Sequence, residues 1–127
     1  MPRKEVIPVP ALPAATVPLS RVVRFGNLVF VSGTGGRNPQ TNEFGDIRDQ
    51  TRCTLEIIKT ALAAAGLGME HVLSVVTHIK RREDFAAYNE IYRTYFPTDP
   101  PARTTVQSEL MQPDMLIEIT ATAGVPD

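Results

Sequence analysis

Apolar positions recur along this chain at two spacings, and the switches between them mark its elements. Ser20 to Phe25 and Leu28 to Ser32 are β-rich runs, and Gly26-Asn27 between them is a two-residue hairpin signal. The second run, Leu-Val-Phe-Val, has no polar break, which predicts a strand covered on both faces. From Ile47 the period lengthens. Ile47, Thr51, Leu55, Ile58, Leu62 and Ala65 fall three or four apart, an amphipathic helix with Asp46 as N-cap and Gly66 as terminator. Val72 to Lys80 returns to strand, with Leu73, Val75, Thr77 and Ile79 on one face and Val76, His78 and Lys80 on the other. A second helix is predicted from about Glu83 to Phe96, with Phe85, Tyr88, Tyr92 and Tyr95 on one side and Pro97 as its stop.

The last predicted elements are two strands between Pro100 and Thr120, paired through a short connection at Gln112-Pro113-Asp114. Prolines at 2, 8, 10, 13 and 18 make residues 1–18 an extended arm lying on the body. The order of two strands, helix, strand, helix and two strands predicts an α+β domain over residues 1–127. It would be one mixed sheet of five to six strands with two helices on one face. The other face, apolar on the central strands, is expected to be buried by self-association.

Composition narrows the function more than the fold. A chain of 127 residues with 43% hydrophobic residues and 21% charged ones can bury a core without crosslinks. The net charge of -1 gives no electrostatic footprint for nucleic acid or an anionic membrane. One cysteine, Cys53, and no Cys/His cluster at zinc-ligand spacing fit a reducing compartment with no structural metal. With no membrane-length apolar run and no signal-peptide core, the expected location is cytoplasmic.

Candidate chemistry concentrates in the last two strands. Arg103 follows a stiff Pro-Pro pair, so its planar fork would be presented with little entropy left to lose and suits a substrate carboxylate. Glu118 interrupts an apolar strand, where a charge needs a cation, a hydrogen-bond donor or water. Both residues are also compatible with strand-face charges at a subunit contact. Gly33-Thr34-Gly35-Gly36 matches neither a P-loop nor a dinucleotide fingerprint; its glycines would let the backbone approach something closely, a ligand being one candidate. His78 among outward-facing positions, Asn89 beside the aromatic stripe and Cys53 have structural readings as well as chemical ones.

Several stretches together resemble the RidA (YjgF) family of reactive-intermediate deaminases, once labelled endoribonuclease-like. They are Gly26-Asn27-Leu28-Val29-Phe30-Val31-Ser32-Gly33, Gln50-Thr51-Arg52, Asp84-Phe85-Ala86-Ala87-Tyr88-Asn89, Pro101-Ala102-Arg103-Thr104-Thr105-Val106 and Ile117-Glu118-Ile119. The resemblance runs from about Pro18 to Ala123. It implies a chorismate-mutase-like homotrimer with clefts at the subunit interfaces, a carboxylate clamp at Arg103 and a water-positioning or activating Glu118. Backbone groups around Ser32, Gly33 and Thr105 would shape the cleft, with Asn89 nearby. The implied reaction is cofactor-free hydrolysis of an enamine or imine to a 2-oxo acid and ammonia.

There are departures from the family pattern. Leu19 stands where many members have tyrosine, Thr105 where a cysteine is common, and the loop after Ser32 is Gly33-Thr34-Gly35-Gly36, smaller and expected to leave room for a larger substrate. Two functions follow: a deaminase acting on 2-aminoacrylate-derived or 2-aminomuconate-type compounds, or a non-catalytic trimer that binds small carboxylates and regulates a partner. Ribonuclease activity fits poorly with the charge balance.

Overall fold

The computed structural model describes residues 1–127. Six strands form one mixed sheet: β1 (Lys4–Ile7), β2 (Val22–Phe25), β3 (Leu28–Gly35), β4 (Val72–Ile79), β5 (Ala102–Gln107) and β6 (Ile117–Gly124). Two helices, α1 (Ile47–Ala64) and α2 (Phe85–Tyr95), join β3 to β4 and β4 to β5. The strand order is β1-β2-β3-β6-β4-β5, with β4 and β5 parallel and every other pair antiparallel. This is the expected α+β architecture of six strands and two helices.

The local signals for the hairpin and first helix hold. Gly26 takes φ +61 between β2 and β3. Asp46 accepts the Asp49 amide at 2.9 Å, satisfying one of the free N–H groups that open α1. At the other end Gly66 adopts φ +77 and donates to Ala63 O at 3.0 Å, while Leu67 donates to Leu62 O at 2.9 Å. That pair of bonds is a Schellman closure, with buried Leu62 and Leu67 as its apolar clasp.

Four expectations change. The arm contributes a strand of its own: Lys4–Ile7 pairs with β2, because an edge strand tolerates prolines on either side of a four-residue run. The two strands carrying Arg103 and Glu118 do not pair. Because β4, α2 and β5 form a parallel βαβ unit, β5 lies at the sheet edge and β6 inserts between β3 and β4. The Gln112-Pro113-Asp114 segment therefore passes over the end of β4, where Lys80 donates to Leu116 O at 3.0 Å and Ser108 donates to Ile79 O at 3.0 Å. Leu73 faces outward, since a bulge between Val72 and Ser74 moves the alternation by one residue and buries Val72 with Val75, Thr77 and Ile79. Finally, α2 starts at Phe85, after a 3-10 turn at Arg82–Asp84.

The core lies between the helices and one sheet face. Leu55, Ile58 and Leu62 of α1 and Tyr88 of α2 close over Val29, Val31, Val75, Ile117 and Ile119, each large side chain contributing about 1.5–3 kcal/mol by leaving water. Two buried hydroxyls here are paired, Thr77 Oγ1 with Tyr88 Oη at 2.6 Å and Thr51 Oγ1 donating to Ile47 O at 2.7 Å, while Thr54 Oγ1 on α1 has no partner. On the opposite face Phe30, Leu73, Val76 and Val106 remain exposed.

Candidate active site

Arg103 points to the helix side of the sheet, because it is level with inward-facing Val75 on β4. There α2 presents a ladder of rings, Phe85, Tyr88, Tyr92 and Phe96, with neighbouring centroids 6.3, 5.4 and 4.7 Å apart. The guanidinium carbon of Arg103 lies 4.8 Å from the Tyr92 ring centre, 5.2 Å from that of Tyr88 and 5.8 Å from that of Phe85. Such ring faces attract a cation and limit its rotamers. Nη1 donates to Asn89 Oδ1 at 2.9 Å, so Asn89 is the holder of the arginine. Nε and Nη2 carry no bond within the chain and are left for a planar acceptor.

A cleft of about 580 Å³ opens beside this arginine, walled by Asn89, Tyr92, Arg93, Phe96, Pro97 and Pro100-Pro101. The Tyr92 hydroxyl is buried and unpartnered. Burial, followed by the proximity of Tyr88, raises the pKa of its phenol, against a lowering by Arg103. It is a standing donor. Thr105, level with Thr77, also turns inward and has a buried hydroxyl without a partner.

Glu118 belongs to a different surface. It is level with His78 on β4 and Gly35 on β3, on the sheet face away from the helices. Its carboxylate makes no hydrogen bond or ion pair in the chain; the two ion pairs are Arg48–Glu90 and Arg52–Asp49. A bulge places Ser32 and Gly33 opposite Thr120, and Gly33 lies against Glu118, where an added Cβ would stand 3.1 Å from the carboxylate carbon. Ser32 Oγ is occupied, donating to Ser20 O at 2.5 Å. Leu19, 43% exposed, lines a second cleft of about 300 Å³ with Ser32, Gly33 and the arm. His78 shares the Glu118 face and has Nδ1 3.1 Å from Ser108 Oγ.

The candidate residues thus form two groups. Arg103, Asn89 and Thr105 are on the helix side near the β5 edge, and Glu118, Gly33, Ser32 and Leu19 gather around the β3 bulge. Arg103 and Glu118 are two strands apart and three residues out of step along β4, roughly 14 Å between Cα atoms, and face opposite sides of the sheet. They do not meet within one chain.

The glycine loop lines the second cleft through Gly33, Thr34 and Gly35, and is packed against the protein on its other side. A side chain at Gly35 would overlap the Met115 methyl, and one at Gly36 would overlap the Gln50 backbone. What Gly35 and Gly36 approach most closely is therefore the protein itself. Two contributors were not singled out from sequence as site residues: Arg93, which looks like any exposed helix arginine, and Gln50. The latter's signal is a polar residue on the buried side of α1, 1% exposed. Cys53 is half-buried and held up in pKa, first by burial and then by Asp49 and Glu56, the opposite of an activated thiol.

No helix is long and apolar enough to cross a membrane. Residues 10–125 match the family model described as Endoribonuclease L-PSP. A RutC family protein of Pyrococcus horikoshii is 42% identical over 122 residues, 94% of this chain and 97% of its own length. The chloroplastic Reactive Intermediate Deaminase A of Arabidopsis thaliana is 36% identical over 95% of this chain and 66% of its own length. The crystal structure of Escherichia coli TdcF with bound serine superposes with a TM-score of 0.89 at 33% identity, over 96% of this chain and 99% of that one. With the fold, nearly its full length and its sequence motifs in common with these proteins, the chain belongs to the Endoribonuclease L-PSP family, that of the RidA and YjgF proteins.

Proposed function

We propose that the protein is an enamine/imine deaminase, hydrolysing a small 2-amino-unsaturated acid, through its imine tautomer, to the 2-oxo acid and ammonia. The observation that carries this is the state of Arg103: charged, held by Asn89 and three rings, and still offering Nε and Nη2. The name of the Arabidopsis relative supports the same reaction class.

In this reading the site is composite. The Arg103 group of one protomer faces the Glu118 group of the next in a homotrimer, an arrangement that would also cover exposed Phe30, Leu73, Val76 and Val106. Arg103 takes the substrate carboxylate in a two-pronged bond and fixes the C=N carbon beside Glu118. Glu118, free of internal partners, accepts a proton from water as the oxygen adds to that carbon. The resulting carbinolamine nitrogen takes up a proton, the C–N bond breaks with its electron pair leaving on nitrogen, and the hydroxyl loses its proton to give the ketone. Backbone groups at Ser32, Gly33 and Thr105 line the approach. Position, charge matching and a proton acceptor suffice, so the reaction requires no cofactor.

Leu19 supports the second reading, a trimer that binds small carboxylates without turnover, because its exposed side chain supplies no hydroxyl where many relatives have one. The test is ammonia release from enzymatically generated 2-aminoacrylate and from 2-aminomuconate, with wild type, Arg103→Ala and Glu118→Ala. Deamination lost in both variants while their oligomer is retained is the expected result. Carboxylate binding that needs Arg103, with no deamination by wild type, would replace the deaminase by the binding protein. Gly33, Thr34 and Gly35 line the cleft beside Leu19, so substrate size can be set on that side as well as beside Arg103.

A further inference from the structure

Within one chain, the cleft beside Arg103 is lined by two cations and no anion, and the only carboxylate the proposed assembly would bring toward it is the Glu118 of the next protomer, on the side of the reacting carbon. Arg93 and Arg103 both line it, the other walls are Asn89, Tyr92, Phe96 and prolines, and no Asp or Glu lines it. Arg93 is exposed and makes no hydrogen bond or ion pair within the chain. The whole chain carries 13 Lys and Arg against 14 Asp and Glu, so paired arginines without a carboxylate are a local feature rather than a general surplus. Arg48, five residues before Cys53 on α1, shows the contrasting case: its guanidinium meets Glu90 at 2.7 Å.

Their spacing follows from α2. Asn89, which holds Arg103, and Arg93 are four residues apart on the same helix, so their Cβ atoms stand one above the other, about 6 Å along the axis. Arg93 and the Asn89-held Arg103 therefore enter one cleft from successive turns of α2, with Tyr92 also in its lining. A carboxylate on Arg103 leaves Arg93 one helical turn away and without a counter-charge. Two like charges along one wall are stabilised by an anion that spans them.

We propose that Arg93 is a specificity residue that takes a second, distal carboxylate, so that the preferred substrates are 2-imino or 2-enamino dicarboxylates of roughly four to six carbons. This rests on the deaminase reading for the reaction but not for the binding. The fixed carboxylate sits on Arg103, the C=N carbon points toward the neighbouring Glu118, and the rest of the chain runs along α2 to Arg93.

Binding and turnover test it separately. Isothermal titration of the full-length protein at low ionic strength should find glutarate bound at least about tenfold tighter than valerate, and Arg93→Gln should reduce that ratio to within about threefold. Turnover of the imines generated from glutamate and from alanine by an amino-acid oxidase should show the same preference in kcat/KM, lost in Arg93→Gln. A ratio near one in wild type, or one that Arg93→Gln leaves unchanged, overturns the dicarboxylate clamp even if both imines are deaminated. Arg93-dependent glutarate binding with no deamination of either imine would instead keep the clamp and remove the deaminase.

Discussion

Gln50 ties the first helix to the strand that carries Glu118, and replacing it with leucine puts a number on that tie. Its amide makes three bonds: Oε1 accepts Leu116 N–H at 2.8 Å, and Nε2 donates to Gly45 O at 2.9 Å and Asp114 O at 3.0 Å. Leucine fills similar space but meets none of them. The Leu116 amide would be left buried without a partner, at about 1–3 kcal/mol. The two carbonyls are partly accessible and regain water, at about 0.5–1 kcal/mol each. Burying an apolar side chain in place of an amide returns about 1 kcal/mol, so Gln50→Leu should lose about 1–4 kcal/mol. Against a typical total of about 5–15 kcal/mol this is a large fraction. Urea unfolding at one fixed protomer concentration, followed by far-ultraviolet circular dichroism, would read it as a lower midpoint with an unchanged slope. Gln50→Glu sharpens the test. An ionised carboxylate there would face two carbonyl oxygens, so its folded pKa would rise above the unfolded value. Its stability would be present below the unfolded pKa and lost as pH rises through the folded one. A Gln50→Leu protein within about 0.5 kcal/mol of wild type would refute the claim that these three bonds hold β6 in place.

Two further outcomes follow. Arg103→Lys keeps the charge but loses the fork and the stack on Tyr92, so carboxylate affinity should fall by about 2 kcal/mol, roughly thirtyfold; a titration within threefold of wild type would show that a point charge suffices. Asp84 opens α2 with Oδ2 buried and unpartnered, and burial raises its pKa against the lowering effect of Arg81. A raised folded pKa means the penalty of ionising Asp84 is absent below the unfolded pKa and grows as pH rises through the folded one. Asp84→Asn should therefore be more stable at neutral pH by about 0.5 kcal/mol, the gap closing near pH 4; a less stable asparagine variant at neutral pH would contradict this.

What the chain made legible in advance was local. Asp46, Gly66 and the Gly26-Asn27 turn announce themselves because a cap or a positive φ is a property of one or two residues. Partners distant in sequence were not legible. The Arg103 and Glu118 strands are neighbours in sequence, and nothing in their own residues states that β4 will lie between them; the parallel crossover through α2 decides it. The bulge at Val72 and Ser74 cannot be seen in an alternation that is nearly regular, so Leu73 lands on the wrong face. Gly35 and Gly36 look like open space until Met115 and Gln50 arrive from elsewhere. At the site, Arg103 was visible through the prolines before it, and Asn89 through the aromatic stripe that it borders. Arg93 was not, because its meaning lies in the missing carboxylate across the cleft.

The placement of Arg103 and Glu118 on opposite faces of one sheet has a consequence for dose. A perfectly folded single copy would hold both halves of the proposed site and still be unable to use them together. Folding and competence would then respond to different variables: the first to temperature and denaturant, the second also to how many copies share the solution. Dilution alone would silence the protein with every residue in place. A chain broken at the cationic half and a chain broken at the acidic half could, in a mixed assembly, restore sites that neither possesses by itself.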